Sequence, residues 1–248
     1  MIVIKSPDEI KRIREAGRII GKVFEKVKDF IEPGMATAEI DGIVQSVIEK
    51  SGGRPAFKGY KGFPASACIS INEEVVHGFP GPRKIRLGDI VGVDVGVEYK
   101  GYFADATITF PVGKISKQAV SLMDVTQKAL MAGIEKCVVG NRLSDISHAI
   151  QVTAEGAGYS VVRDFVGHGV GLNLHEDPQI PNYGFPNSGP RLKAGMVFAI
   201  EPMVNLGGYR VKVLENGWTV VTLDGSLSAH FEHTVAITPE GPEILTLW

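Results

Sequence analysis

Apolar residues recur every three or four positions in the first part of the chain, which is the spacing of one face of an α-helix. Ser6 precedes this stretch as an N-cap with Glu9 at the capping-box position, and Pro33-Gly34 ends it. The apolar positions of the stripe are Ile10, Ile13, Ile20, Val23, Phe24 and Val27. The pattern predicts a first helix that buries one face.

A second helical pattern follows, with Thr37 as its cap and Gly52-Gly53 as its end. Its apolar residues are Ile40, Ile43, Val44, Val47 and Ile48. Strand-like segments, rich in β-branched and aromatic residues, then continue to Val112. The first part of the chain therefore predicts two helices followed by strands.

The second part of the chain repeats this order. Its predicted boundaries are a helix from about Ser116 to Val138, a break at Gly140-Asn141, and a helix from Ser144 to about Gly156. The caps Thr37 and Ser144 are 107 residues apart, and so are Asp94 and Glu201. No Ser/Pro-rich linker separates the parts. We therefore predict one α+β domain over residues 1–248, with pseudo-repeat halves of about 1–112 and 113–248.

Three carboxylates lie inside apolar stretches, where a charged side chain is costly unless something binds it. Asp94 lies in VGVDVGV, Glu201 in VFAIEPMV and Glu232 in AHFEHTVAI. Glu201 and Glu232 stand on predicted strands that a long, Gly-rich connection joins. Such positions favour a site that binds cations.

A chain reversal brings Asp105 close to Asp94. A turn at Tyr99-Lys100 makes the two carboxylates direct cross-strand partners, whereas a turn at Lys100-Gly101 makes them diagonal neighbours. Both registers place them on one face of the hairpin, so both allow a shared ion.

Glycines flank His168 in FVGHGVG, so the backbone on both sides leaves room for a ligand to approach its side chain closely. Four carboxylates in one place repel each other and take up protons unless cations lie between them. Oxygen-rich ligation with one imidazole suits divalent manganese, iron, cobalt or zinc, and two ions can share such carboxylates. The residues therefore predict a dinuclear metallohydrolase.

Composition excludes several other classes of protein. A net charge of −2 provides no general basic field for nucleic acid. No apolar run is long enough to cross a bilayer, and the polar, helical beginning is unlike a secretion signal. The two cysteines, Cys68 and Cys137, cannot form a disulfide framework and are interpreted as packed thiols. We expect a cytoplasmic protein without a membrane or sequence-specific nucleic-acid partner.

Five separated motifs resemble type I methionine aminopeptidases over essentially the whole chain. They are ISINEEVVHG, VDVGVEYKGYFADAT, FVGHGVGLNLHEDP, FAIEPM, and NGWTVVT followed by SAHFEHT. The resemblance implies the pita-bread fold, a pseudo-twofold architecture with a curved, mainly antiparallel sheet covered by two pairs of helices. It also implies removal of N-terminal methionine from nascent chains when the second residue is small and uncharged.

The family resemblance assigns roles to the metal-site residues. Asp94 resembles the bidentate ligand of one metal ion, Asp105 and Glu232 the carboxylates that bridge two ions, and His168 and Glu201 the remaining ligands. Glu201 is also implied to manage a proton of the attacking water. The cofactors implied are two divalent ions, with cobalt, manganese, iron(II) and zinc as the candidates.

The resemblance also identifies substrate-binding residues. His77 and His175 are implied to contact the substrate near the scissile peptide bond. The residues implied to form the methionine pocket are Phe57, Tyr60, Phe63, Leu174 and Trp218. Gly96 stands where many relatives have a threonine, which questions the support of the metal ion on Asp94.

Two alternatives remain open from the residues alone. X-Pro aminopeptidases and prolidases share the metal core but usually carry an additional N-terminal domain. Other pita-bread relatives bind RNA or proteins without catalysis, although these have lost ligands that are present here. The chain has no Cys/His-rich zinc-finger extension, which favours the short, bacterial-like form. The family implies a monomer that acts near the ribosome exit.

Overall fold

A computed structural model of the chain describes residues 1–247. Its α-helices are α1 (Pro7–Phe30), α2 (Thr37–Lys50), α3 (Lys117–Ile134) and α4 (Leu143–Gly156). The predicted start of α1 is confirmed, because the Ser6 hydroxyl accepts the Glu9 N–H while the Glu9 carboxylate accepts the Ser6 N–H at 2.7 Å. No helix in residues 1–247 is long and apolar enough to cross a membrane.

Three predicted helix boundaries were wrong. The N-caps of α2 and α4 are Ala36 and Arg142, so Thr37 lies in the first turn of α2 and Ser144 in the first turn of α4. Helix α3 ends before Val138, because successive amides bond back over three residues and tighten the last turn.

The hydroxyls of Thr37 and Ser144 bind distant loops instead of capping their helices. Thr37 Oγ1 donates to the Gly81 carbonyl at 3.0 Å and accepts the Gly81 N–H at 2.8 Å. Ser144 Oγ donates to the Ser188 carbonyl at 2.8 Å and accepts the Ser188 N–H at 2.7 Å. Gly81 and Ser188 are also 107 residues apart. The spacing read from the sequence therefore recurs as a pair of equivalent contacts.

The strands form antiparallel ladders wherever strand pairing is described in residues 1–247. The first part of the chain contains β1 (Arg54–Pro55), β2 (Ala67–Ile71), β3 (Glu74–Val76), β4 (Ile90–Tyr99) and β5 (Tyr102–Pro111). The second part contains β6 (Ser160–Val161), β7 (Gly167–Gly169), β8 (Glu176–Ile180), β9 (Val197–Ile200), β10 (Met203–Asn205), β11 (Val211–Val213), β12 (Val220–Thr222), β13 (Ser228–His230), β14 (His233–Thr238) and β15 (Gly241–Ile244).

Two sheets are the most important for the site. One has the order β1-β4-β2 with β5 paired to β4, and the other has the order β15-β14-β9-β7-β8. Helix α1 packs against β4 and β5, and its side chains Ile13, Ile20 and Phe24 are fully buried there. The helices thus cover the sheets from which the functional side chains extend.

The β4–β5 hairpin turns at Lys100-Gly101, where both residues have positive φ, 51° and 82°. Asp105 consequently lies opposite Gly96, and Asp94 lies opposite Thr107. The diagonal register is therefore the one adopted. The two carboxylates share one face of the hairpin, as both predicted registers required.

The corresponding carboxylates of the second part lie one residue beyond a strand pair. Ile200 of β9 pairs with His233 of β14, so Glu201 and Glu232 face each other just past the end of this ladder. The Glu232 N–H then donates to the Thr107 carbonyl at 2.9 Å. This bridge joins the two sheets at the site.

Candidate metal centre

Strand geometry places five predicted ligands around one cavity of about 330 Å³. Asp94 comes from β4, Asp105 from β5 and His168 from β7, while Glu201 and Glu232 flank the β9–β14 pair. Because side chains alternate along a strand, the paired positions point to the same side of each sheet. The structure therefore brings together residues that are far apart in the chain.

His168 lies at the centre of the cluster. Its Nε2 is 3.4 Å from Asp105 Oδ2 and 3.4 Å from Glu201 Oε1. Ligand atoms of Asp105, His168 and Glu232 all lie within 4.8 Å of one another. The Nδ1 of His168 is 2.9 Å from the carbonyl oxygen of Gly169, which leaves Nε2 to bind a cation. The donor set fits one or more divalent ions.

The electrostatics of the cluster also favour a cation. Burial raises the pKa of Asp94 to about 7, and the neighbouring Asp105 adds to the shift. Burial and the adjacent carboxylates hold the pKa of Glu232 well above its usual range. Burial likewise raises the pKa of Glu201 well above its usual range, although His168 opposes the shift. Divalent ions would compensate the negative charge that these residues otherwise neutralise with protons.

His168 responds in the opposite way to its carboxylate neighbours. Burial by itself lowers the pKa of this imidazole, but the charges of Asp105 and Glu201 outweigh burial and raise it to about 9. The same carboxylates that hold a proton on Nε2 would attract a metal ion to that nitrogen. Metal binding and protonation at His168 therefore compete.

Threonines hold the ligands in place from neighbouring strands. Thr107 Oγ1 donates to Glu232 Oε2 at 2.8 Å, so a residue of β5 orients a ligand from the second part of the chain. The Thr234 hydroxyl of β14 accepts the Asp105 N–H at 3.1 Å and donates to the Asp105 carbonyl at 2.8 Å. Such contacts fix the carboxylates before any ion binds.

The predicted substrate histidines also lie at the cavity. The ring of His175 lies between Tyr60, at 5.2 Å between centroids and nearly parallel, and His168, at 4.2 Å. His175 is an exposed residue, but desolvation of its imidazole, with His168 nearby, lowers its pKa to about 4. A neutral imidazole of this kind donates through one ring nitrogen.

His77 also lines the cavity. Its φ of 57° turns the chain between β3 and the next loop, and the ring meets Phe165 and Trp218 edge-on at 5.6 and 6.4 Å. Burial lowers its pKa to about 4, so this imidazole is also neutral. Both histidines therefore face the cavity without carrying charge.

Four aromatic side chains form another part of the boundary of the cavity, which we call the aromatic wall: Phe57, Tyr60, Phe63 and Trp218. Phe63 meets Trp218 edge-on at 5.1 Å between ring centroids. Leu174, also expected here, packs in the same cluster at 2% exposure but does not line the cavity. The wall is apolar and borders directly on the ligand cluster.

Several residues that line the cavity were not predicted from the sequence. Cys68 of β2, interpreted as a packed thiol, lines the cavity beside Asp94 of β4, which is its direct cross-strand partner. Prediction of the β2–β4 pairing would have identified it. The other missed lining residues come from loops and strand ends whose positions no periodic pattern defines: Lys61, Val76, Asp164, Phe165 and Val166.

Comparison with known sequences gives a consistent result. A family model described as metallopeptidase family M24 matches residues 11–239. The chain is 56% identical to the methionine aminopeptidase of Clostridium perfringens, over 100% of this chain and 99% of the relative. It is 54% identical to methionine aminopeptidase 1 of Bacillus subtilis, over 99% of both chains.

Solved structures agree with the sequence relatives. The crystal structure of methionine aminopeptidase from Thermotoga maritima matches with a TM-score of 0.98 and 48% identity over 100% of both chains. The prolidase of Pyrococcus furiosus matches with a TM-score of 0.82 and 26% identity, over 99% of this chain but 66% of its own. The predicted α+β pita-bread fold is confirmed by these neighbours and by the antiparallel sheets.

Proposed function

Since the chain belongs to metallopeptidase family M24, and within it to the methionine aminopeptidases, we propose that it removes N-terminal methionine when the second residue is small and uncharged. The observation that carries the proposal is one cavity that places a cation-binding cluster beside an apolar aromatic wall. The cluster serves hydrolysis, and the wall serves recognition of an unbranched thioether side chain.

Two divalent ions are part of this proposal. Asp94 would hold one ion, Asp105 and Glu232 would bridge both, and His168 and Glu201 would complete the ligands of the second. The mutual approach of Asp105, His168 and Glu232 within 4.8 Å supports this arrangement. When bound, divalent ions polarise a carbonyl group and lower the pKa of water. The oxygen-rich donor set accepts cobalt, manganese, iron(II) or zinc.

The chain's own residues would then manage protons and orient the peptide. Glu201 would accept a proton on its carboxylate from the attacking water, because this carboxylate lines the cavity within the ligand cluster, with Oε1 3.4 Å from His168 Nε2. A ring N–H of the neutral His175 would donate to the carbonyl oxygen of the scissile peptide, where negative charge develops. His77, which also lines the cavity, would contact the same peptide.

The aromatic wall would bind the methionine side chain. Phe57, Tyr60, Phe63 and Trp218 offer apolar surface, and each contact between sulfur and an aromatic ring stabilises by about 0.3–1.5 kcal/mol. The second residue of the substrate would lie beside His77 and His175, which both line the cavity. Crowding at this point would exclude large side chains and allow Gly, Ala, Ser, Cys, Thr, Pro and Val.

Newly made chains are the source of such N-termini. The proposal therefore includes action of a monomer in the cytoplasm near the ribosome exit. The bacterial relatives named methionine aminopeptidase support N-terminal methionine as the group that is removed.

The test is hydrolysis of Met-Ala-Ser, Met-Phe-Ser and Ala-Pro-Ala by the metal-reconstituted protein. We expect Met-Ala-Ser to be cleaved at least about 100-fold faster than Met-Phe-Ser, since a closed pocket excludes the larger residue. Comparable rates on both would contradict the proposed specificity. Cleavage of Ala-Pro-Ala alone would favour an X-Pro peptidase, and metal binding without cleavage of any peptide would favour a non-catalytic relative.

A further inference from the structure

Gly96 lies on the cavity face of β4, two residues from Asp94 and directly opposite Asp105. Because strand side chains alternate, a side chain at this position would point to the same side as those two carboxylates. A Cβ atom there would lie only 2.5 Å from Phe57 Cε1, 2.9 Å from Cδ1 and 3.1 Å from Cζ. The aromatic ring therefore occupies the volume that any other residue at position 96 would need.

The Phe57 ring is held over Gly96 by its own backbone. Residues Arg54 and Pro55 of β1 pair with β4, and the Ala56 N–H donates to the Gly96 carbonyl at 2.9 Å. Phe57 is 9% exposed and packs in a hydrophobic cluster with Phe63 and Cys68. Because this backbone is paired, the Phe57 ring can leave Gly96 only by rotating out of its packed position or by disrupting the strand pairing.

We propose that Gly96 and Phe57 act as one specificity-determining pair, in which the missing side chain at position 96 lets the Phe57 ring form the boundary of the methionine pocket nearest Asp105. This inference rests on the proposed function, because it concerns the pocket for the first residue of the substrate. A side chain at position 96 would displace the ring and change the pocket without removing a metal ligand.

The test begins with Gly96→Ala and a matched control on the same strand face, Gly92→Ala. A Cβ atom at Gly92 would have no neighbour closer than 3.6 Å, which is ordinary van der Waals contact. We expect Gly96→Ala to raise KM for Met-Ala-Ser about tenfold, the size of an overpacking effect, with kcat and metal affinity nearly unchanged. Gly92→Ala should leave KM, kcat and metal affinity as in the unmodified protein.

A double-mutant cycle identifies the partner of Gly96. Phe57→Ala removes the ring, so we expect it to raise the rate on Phe-Ala-Ser relative to Met-Ala-Ser by about tenfold. In this background Gly96→Ala should change KM less than twofold, because the added methyl group no longer meets a ring. If Gly96→Ala alone does not fold, recovery of folding in the double variant supports the pair, and failure of both overturns it.

Additive effects of the two substitutions on KM would overturn the inference while leaving the proposed function intact. An equal loss of metal affinity from Gly96→Ala in both backgrounds would also overturn it, since position 96 would then act through the carboxylates. If the unmodified, metal-loaded protein does not cleave Met-Ala-Ser at all, both the proposed function and this inference fail.

Discussion

The two sides of the cavity are built in different ways. The side that carries the proposed ligands consists of residues on strands or next to them: Asp105 lies opposite Gly96, and Glu201 and Glu232 adjoin the pair of Ile200 and His233. The aromatic wall comes mainly from loops, with Tyr60 in a single turn at Tyr60–Gly62 and Trp218 after Gly217, whose φ is 74°. Strand register thus positions the proposed metal ligands, and loop packing shapes the aromatic wall.

The two sides also differ in what they need from a ligand. Buried carboxylates with raised pKa values, such as Glu201 and Glu232, hold protons unless cations replace them. The aromatic wall needs no ligand for its own packing, because Phe57 and Phe63 pack against each other and against Cys68. We therefore expect metal removal to affect the first side far more than the second.

The largest expected effect comes from chelation. Removal of divalent ions should abolish hydrolysis of Met-Ala-Ser, because Asp94, Glu201 and Glu232 would then take up protons instead of binding metal. Manganese, cobalt or iron(II) should restore at least part of the activity, as followed by peptide cleavage alongside metal analysis. Full activity in protein shown to be metal-free would contradict the dinuclear proposal.

A smaller effect distinguishes ligands from substrate contacts on the same side of the cavity. If His175 donates to the developing oxyanion, His175→Ala should lower kcat and kcat/KM together by about 10²–10³. Its metal content should not change, because His175 is not expected to be a ligand. The measurement is steady-state kinetics beside metal titration.

His168→Ala is the matched comparison for that variant. It removes a proposed ligand, so it should weaken binding of one ion and regain some activity at high metal concentration. Loss of bound metal from the His175 variant, or unchanged metal binding in the His168 variant, would contradict this division of roles.

The difference between the two sides also explains how much could be predicted. Alternating apolar positions and a local turn limited the Asp94–Asp105 hairpin to two registers. The turn at Lys100-Gly101 is adopted because its two residues both take positive φ, and glycine does so without strain. Local sequence was therefore enough to bring the two carboxylates together.

Features that depend on distant contacts could not be predicted in this way. Thr37 and Ser144 have the chemistry of helix caps, but their hydroxyls bind loops more than forty residues away. The aromatic wall was expected only from family resemblance, since no periodic pattern defines its loops. Lys61 and His77, with φ of 48° and 57°, show how far these loops depart from regular structure.

The smallest expected effect concerns how the aromatic wall is anchored. Asp41 of α2 accepts the N–H groups of Ser66 and Ala67, both at 2.8 Å, just after the loop that carries the wall. Burial raises the pKa of Asp41, although these two hydrogen bonds oppose the shift. An acid with a raised pKa holds its proton more tightly in the folded state. The contribution of Asp41 to the free energy of unfolding therefore falls as the pH rises from the pKa of this group in the unfolded chain through its higher pKa in the folded protein.

Asp41→Asn keeps an oxygen acceptor for both N–H groups and removes the charge. We expect its free energy of unfolding to equal or exceed that of the unmodified protein at pH 8, with the difference shrinking as the pH falls to about 4, near the ordinary pKa of an aspartate. Asp41→Ala is the control that leaves two N–H groups unpaired, so it should lose about 1–3 kcal/mol and raise KM for Met-Ala-Ser. Urea unfolding at both pH values measures the difference. If Asp41→Asn were as unstable as Asp41→Ala, the carboxylate charge itself would be required, and the aromatic wall would depend on electrostatics much as the ligand side does.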